Sequence, residues 1–455
     1  MVLGGGPAGV GAAYRAARAG HRVMLLERAT RLGGASASLS VGGQRVDLGS
    51  HRLHPSIEPR ILDDLRALLG DELQVRPRNG RIRLGGRWIA FPLRPLDLVR
   101  RMPPAMALGA IRDALLAPTR HPRADTFSEV LRAALGPAIA ERFYLPYARK
   151  IWGVDPAELS GEQARRRVGT RSAGGLARRV LARGAAGKRT FLYPRGGYGR
   201  IVEALGAAAG AAGARIELGA DVTGVDLRPD GARVVVAGGR EVTARRVWST
   251  IPVTALAAIC APGPPPQALA AASRLTYRAM LLVYLVLERP RYTPFDAHYL
   301  PAGATPVTRV SEPKNYRDGD DPPSTTVLCA EIPCDAGDRL WECSDAALGR
   351  IVADALQEAG LARPAPAGVE VVRLRHAYPI LRAGYEERLA AIDDWAAAQP
   401  ALLTLGRQGL FVHDNLHHAL AMAWAAVDCL GPDGRFDDAG WAAARRRFAA
   451  HVVED

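Results

Sequence analysis

Residues 1–34 read MVLGGGPAGVGAAYRAARAGHRVMLLERATRLGG, and the glycine spacing in this stretch decides the fold. Gly4, Gly6 and Gly9 stand in the G-x-G-x-x-G pattern behind an apolar stub, Val2-Leu3. An Ala-rich segment with helical apolar period follows, then the strand-like run Arg22 to Leu26. The order strand, turn, helix, strand is the unit from which a parallel sheet is wound. In such a unit Gly4 permits the tight turn, Gly6 lets a pyrophosphate approach the backbone, and Gly9 lets helix and strand pack closely. The helix opens at Pro7 and Ala8 with its partial positive charge toward the phosphates. Glu27, with Arg28 beside it, ends the second strand where a carboxylate accepts hydrogen bonds from ribose hydroxyls. Gly33 and Gly34 then allow a second approach of backbone to pyrophosphate, an extension typical of FAD sites rather than NAD sites. An ordinary glycine-rich turn is the weaker account. The first strand is about three residues long where about five is usual, so residues ahead of Met1 are expected.

Composition bounds the rest. The chain has 455 residues, 48% of them hydrophobic, enough for at least two domains. Its formal charge of +14 would suit nucleic acid, an anionic membrane or an anionic substrate. Arginine supplies nearly all of it, Lys150, Lys188 and Lys314 being the only lysines, and the plainer reading is a solvated arginine-rich surface. No zinc-finger spacing or aromatic RNA-binding pattern supports a nucleic-acid partner. The five cysteines form no CxxC pair and are odd in number, which argues against a disulfide framework and for a reducing cytoplasm. The longest strongly apolar run, AMLLVYLVL at 279–287, is too short to span a bilayer. Peripheral contact with a membrane surface stays open, and nothing in the sequence specifies an oligomeric state.

Five stretches in order resemble the FAD-dependent superfamily of amine oxidases, protoporphyrinogen oxidases, carotenoid-type desaturases and UDP-galactopyranose mutases. They are the opening glycines; VDLGSHRLH at 46–54; LPYARKIWGVDPAELS at 145–160 with FLYPRGGYGRIVEAL at 191–205; TRVSEPKNY at 308–316 with AEIP at 330–333; and GRQGLFVHDN at 406–415. The resemblance implies an α/β chain: a Rossmann-like FAD-binding domain, a mixed-sheet substrate domain and a helical cap. The expected division is 1–75, 190–255 and 395–455 for the FAD domain, 76–189 for the cap and 256–394 for the substrate domain. Coarser patterns give helices over Leu98 to Leu116, Phe127 to Phe143 and Gly199 to Ala212. Strands are expected over 76–92, Asp221 to Leu227, Ala232 to Val236 and 246–252. The Arg-dense segment 165–189 reads as a solvated face, with a diphosphate grip or a membrane-lying piece as alternatives.

The resemblance also assigns residues. Leu410-Phe411-Val412 would be a strand that ends at Asp414, whose carboxylate would bond the ribityl chain. The helix from Leu416, preceded by Asn415, would turn its amino end to the flavin ring. Gly49, His51 and Arg52 would pass beside that ring, and Val222 would meet the adenine through its backbone. His54 would be the polar group nearest the reacting face, Trp152 and Tyr193 pocket walls, Arg309 an anchor for an anionic substrate, and Arg407 a second cation serving substrate or flavin. A metal held by His413, Asp414 and His417 is conceivable on spacing and ranks below the flavin reading, so no metal is expected.

The motifs are closest to the mutases, which use reduced flavin on a nucleotide sugar without net redox change. Two tyrosines of that pattern are absent: Ile332 stands within AEIP, and Phe411 and His413 follow GRQG. Each lost phenol hydroxyl removes a bond to charged oxygen of roughly 1.5–3 kcal/mol. An FAD-dependent oxidoreductase taking a hydride from a C–H or C–N centre of a small, anionic substrate is therefore expected first. The redox-neutral mutase comes second and a non-enzymatic flavoprotein third.

Overall fold

The computed structural model describes residues 1–92, 97, 100–115, 125–168 and 190–453. The Arg-dense run from 169 to 189 and both ends of the helix expected over Leu98 to Leu116 lie outside the described residues; the part between is helical from Pro104 to Leu115.

Three remote parts of the chain build one parallel sheet. Its strands, in spatial order, are Leu402–Thr404, Val247–Ser249, Val2–Leu3, Met24–Glu27 and Arg215–Leu218, and every pairing is parallel. Val2, Leu3, Leu25 and Leu26 are all buried, as a parallel sheet covered on both faces requires. The helix Pro7–Arg18 packs on the sheet through small residues, so the helices Arg200–Ala211 and Leu416–Asp428 come close to it. At Gly11 a Cβ would already stand 3.0 Å from Leu420 and Trp424. A four-stranded sheet made by Val222–Arg228, Gly231–Val236, Arg240–Ala244 and Cys260–Ala261 leans on the same domain.

The second domain is a seven-stranded mixed sheet in the order Gly368–Pro379, Tyr277–Leu287, Thr326–Cys334, Arg309–Ser311, Ala297–Tyr299, Gly80–Leu84, Arg87–Phe91. The apolar run at 279–287 is its second strand, paired on both sides. Leu281, Val283 and Leu285 pack with Leu348, Val352 and Leu356 of the helix Asp345–Glu358. Met280, Leu282 and Tyr284 pack with Val41 and Val46 of the hairpin formed by Ser38–Val41 and Gln44–Asp47. Both faces are covered, so the alternation of a half-exposed strand disappears. The hairpin 80–91, expected with the cap, is hydrogen-bonded into this sheet through His298 and Tyr299.

The cap differs from the expected pair of long helices. The helix Phe127–Leu135 starts on a capping box of Thr126 and Glu129. It stops at Gly136, whose φ is 81°, followed by Pro137, a pair that ends a helix sterically. A wide turn over Ala140–Tyr144 then leads into the helix Leu145–Trp152.

Candidate functional site

The glycine loop lies at the carboxyl ends of the parallel strands, where such sheets bind ligands. Gly4 has φ 101°, and a Cβ there would meet Thr250 Oγ1 at 2.5 Å. A Cβ at Gly9 would stand 1.9 Å from the Gly4 carbonyl oxygen, so only glycine lets helix and strand pack this way. Gly6 is the opposite case: a Cβ there would have nothing within 4 Å. Beside that open space the helix begins with Pro7 and no capping side chain, leaving the amide groups of its first turn directed outward. Gly33 donates its N–H to Gly5 O at 2.8 Å, and a Cβ at Gly34 would come 3.2 Å from Gly6 Cα. These contacts form a backbone cradle that fits a pyrophosphate. The Glu27 carboxylate sits at its rim and accepts hydrogen bonds from Gly5 N at 2.5 Å and Ala29 N at 2.8 Å. The N–H of Ala220 is bonded to Glu27 O at 2.9 Å, and Val222, two residues on, starts the strand paired with Val236. Arg28 is exposed, and its charge lowers the pKa of His376 after burial has done so.

The loop 47–54 runs from this cradle to the seven-stranded sheet. Gly49 has φ 101°, and the N–H of Ser50 donates to Glu331 Oε1 at 2.7 Å. His51 stacks on Tyr198 at 5.2 Å. Its Nε2 lies 2.9 Å from Leu48 O and 3.0 Å from Ala35 O. Both oxygens only accept, so Nε2 carries the proton, and burial depresses the pKa of the ring. Arg52 is buried against Asp296 at 3.2 Å, and its guanidinium lies 4.8 Å from the Tyr316 ring centre. His54 accepts from Ser56 N at 3.1 Å and stands 6.3 Å from the His417 ring; it does not line the cavity described next.

That cavity, about 130 Å³, lies between the loop, the substrate sheet and the late corner of the chain. Arg309, Glu331, Arg407, Tyr299, Tyr378 and His413 line it. Arg309 forms a two-pronged pair with Glu331, at 3.0 and 2.8 Å, so its charge is already matched. Arg407 is not: one Nη donates to Ala377 O at 2.7 Å, the guanidinium lies 4.8 Å from the Tyr378 ring centre, and Nε has no hydrogen-bond partner among the described residues. Burial lowers the pKa of Arg407 and raises that of Tyr378. Trp152 stands behind the wall, edge-on to Tyr378 at 5.7 Å and to His413 at 5.4 Å. Burial, and then the charge of Arg407, push the pKa of His413 far down. Tyr193, expected as a wall, is instead fully enclosed in the first domain with its hydroxyl on the Asp47 carboxylate.

Leu410-Phe411-Val412 is not a strand. The strand of this corner is Leu402–Thr404, a helical turn Gly406–Gly409 follows, and Phe411 adopts φ 50°. Its ring is fully buried near Tyr277 and Tyr385, so packing overrides the β-propensity of the triplet. The helix Leu416–Asp428 then begins at Asn415, whose N–H donates to His418 Nδ1 at 3.2 Å. The side chain of Asp414 is 0% exposed, with Arg166 Nη1 at 3.5 Å and His451 Nδ1 at 3.2 Å. Sequence reasoning did not single out Tyr299, Tyr378, Arg166 or His451, which no spacing connects to the corner. A second cavity, about 720 Å³, is lined by Met1, His21, Arg22 and Trp248 at the amino ends of the parallel strands. It lies away from the glycine cradle and is not the candidate site.

Comparison with known proteins agrees with this geometry. The profile of the family described as flavin containing amine oxidoreductase matches residues 7–419. Flavin-containing monoamine oxidase AofH, so named in Mycobacterium tuberculosis, is 28% identical over 254 residues. The match takes in 53% of this chain and 54% of that protein, so the chain spans about half the length of the curated relative it matches. The crystal structure of reduced UDP-galactopyranose mutase superposes with TM-score 0.82 at 20% identity, covering 100% of this chain and 99% of that one. Putrescine oxidase bound to putrescine gives 0.64 at 18% identity, with 98% of each chain covered. These structural likenesses establish the fold. Among the described residues no helix is long and apolar enough to cross a membrane.

Proposed function

The chain belongs to the flavin containing amine oxidoreductase family, and from that premise we propose that it is an FAD-dependent oxidoreductase whose small substrate carries an anionic group. FAD supplies hydride acceptance from a C–H or C–N centre. Gly6, the first turn of the following helix and Gly34 would hold its pyrophosphate, Glu27 a ribose, and Gly49, His51 and Asn415 the surroundings of the ring.

One observation carries the substrate class. Arg407 is a half-buried cation on the cavity wall with no carboxylate in ion-pair contact among the described residues, the Asp414 carboxylate acting on it only through space. An unpaired buried charge is costly, and an incoming anion offsets that cost. An ammonium substrate fits worse, because the nearby carboxylate of Glu331 is spent on Arg309. Tyr378 and Tyr299 add phenol hydroxyls, Trp152 excludes water from behind, and the neutral His413 offers the substrate a hydrogen-bonding ring nitrogen at Nδ1, which has no partner among the described residues. Orientation of the substrate against the ring is then the main contribution of the protein.

A second reading, the redox-neutral conversion of a nucleotide sugar, gains from those same tyrosines, which stand where a diphosphate would need donors. Anaerobic mixing separates the two. The oxidoreductase reading expects carboxylate- or phosphate-bearing amines, alcohols or porphyrinogens to bleach the oxidised yellow holoenzyme. Conversion of UDP-galactopyranose only after dithionite reduction, without bleaching by any such donor, would replace it with the second reading.

A further inference from the structure

Behind one end of the cavity, whose lining includes Asp414, titratable side chains converge where the cap helix, the late corner and the C-terminal segment meet. Asp414 Oδ2 lies 3.2 Å from His451 Nδ1, and Asp414 Oδ1 lies 3.6 Å from His418 Nδ1. The ligand atoms of the three residues all fall within 4.8 Å of one another. The His418 and His451 rings stack at 4.1 Å with planes 15° apart. Asp414 Oδ1 is buried and accepts no hydrogen bond among the described residues, although Arg166 Nη1 approaches to 3.5 Å. A buried carboxylate oxygen in that condition calls for another partner.

We propose that Asp414, His418 and His451 form a binding site for a divalent cation of the zinc type, which clips the C-terminal segment to the flavin-side corner. Bonds of about 2.0–2.2 Å around a tetrahedral centre separate neighbouring ligand atoms by roughly 3.4 Å; His451 Nδ1 lies 3.2 Å from one carboxylate oxygen and His418 Nδ1 3.6 Å from the other, all three ligand atoms fall within 4.8 Å, and one imidazole turns out of the stack for both to reach a single ion. Two imidazoles with one carboxylate favour borderline cations over magnesium or calcium, which take all-oxygen sets. The fourth position is left to water. Binding moves the proton of His451 from Nδ1 to Nε2 and replaces the long contact from Asn415 N to His418 Nδ1. Arg166 steadies the carboxylate from behind, its own charge matched by Glu162 Oε1 at 2.9 Å. Its carbonyl accepts from Val453 N at 2.8 Å and so holds the tail in register. Spacing alone suggested His413, Asp414 and His417. The fold instead turns His413 toward Trp152 and Tyr378 and brings in His451 from the far end of the chain. The proposal does not depend on which reaction the flavin performs.

The test is calorimetric titration of tag-free, chelator-stripped, FAD-loaded protein with zinc chloride, paired with thermal melting. One bound equivalent and a raised Tm are expected, both lost in His451→Ala while the flavin spectrum stays. Asp414→Asn should also lose the zinc, with its FAD content followed separately because this residue lines the cavity; if it does not fold, His451→Ala and His418→Ala decide. No stoichiometric zinc binding overturns the proposal. So does binding that persists in His451→Ala, which would assign the ion to other groups such as Cys343 or Cys429.

Discussion

Arg309 and Glu331 are direct cross-strand partners, and their guanidinium and carboxylate meet at 3.0 and 2.8 Å on the cavity wall. The same carboxylate accepts the N–H of Ser50 at 2.7 Å, so one ion pair joins the substrate sheet to the loop beside the flavin site. Glu331→Gln should therefore cost about 3–5 kcal/mol, the usual penalty for stranding one member of a buried pair. In urea unfolding, the double variant Arg309→Met/Glu331→Gln should recover part of that loss. A single variant as stable as the wild type would show that the pair is not what joins them.

Arg407→Met removes an unmatched cation and one charged donor. Stability should be unchanged or higher, while the substrate Kd should rise by roughly 10- to 150-fold, equivalent to about 1.5–3 kcal/mol. Unchanged FAD content with weakened substrate binding assigns the charge to substrate; loss of FAD with normal substrate affinity assigns it to the cofactor.

Gly6 and Gly9 should respond oppositely to an added methyl. Gly6→Ala meets nothing in the protein, so its apo form should melt like the wild type, with FAD held about tenfold or more weakly. Gly9→Ala drives into the Gly4 carbonyl oxygen and should cost about 3 kcal/mol or more before any cofactor is added. Equal apo melting temperatures would refute the assignment.

His298 offers a pH dependence. Its Nδ1 accepts from Arg81 Nε at 2.9 Å, and burial followed by that charge brings its pKa down to about 3. Below the unfolded value of about 6.5 the unfolded chain binds a proton that the folded chain refuses. Stability should thus fall as pH drops from about 6.5 toward 3, by up to about 1.4 kcal/mol per pH unit from this residue. Urea melts of His298→Gln should show a correspondingly flatter profile.

Tyr193→Phe should act on stability only. Asp47 keeps Ser38 Oγ at 2.6 Å and Tyr198 N at 2.9 Å, and losing the third donor should cost about 1.5–3 kcal/mol. A changed KM would return this residue to the pocket.

The glycine cradle was readable in the sequence because its glycines fall within some thirty residues in a fixed spacing, and Gly9 and Gly34 answer contacts inside that stretch. The buried strand that holds 279–287 was visible as the longest apolar run. The late corner was not: Leu410 to Val412 look like a strand, yet tertiary packing around Phe411 holds it at φ 50°. Tyr193 looked like a wall because its neighbours match a motif, but its orientation depends on Asp47, 146 positions away. The cavity has phenols of its own in Tyr299 and Tyr378, on strands that no motif marks. Long-range register, which decides these cases, leaves no trace in spacing.

The division of labour on the cavity wall also sets how this pocket could diversify. Tyr299 and Tyr378 face the opening without tying the two domains together by an ion pair, so a descendant could trade them and gain a new appetite for ligands. Glu331 has no such freedom, because one carboxylate serves both an opposite strand and the loop of another domain. Selection on specificity would then sculpt around a fixed hinge-pin, leaving the acid and its arginine as a fossil shared by offspring with unrelated diets.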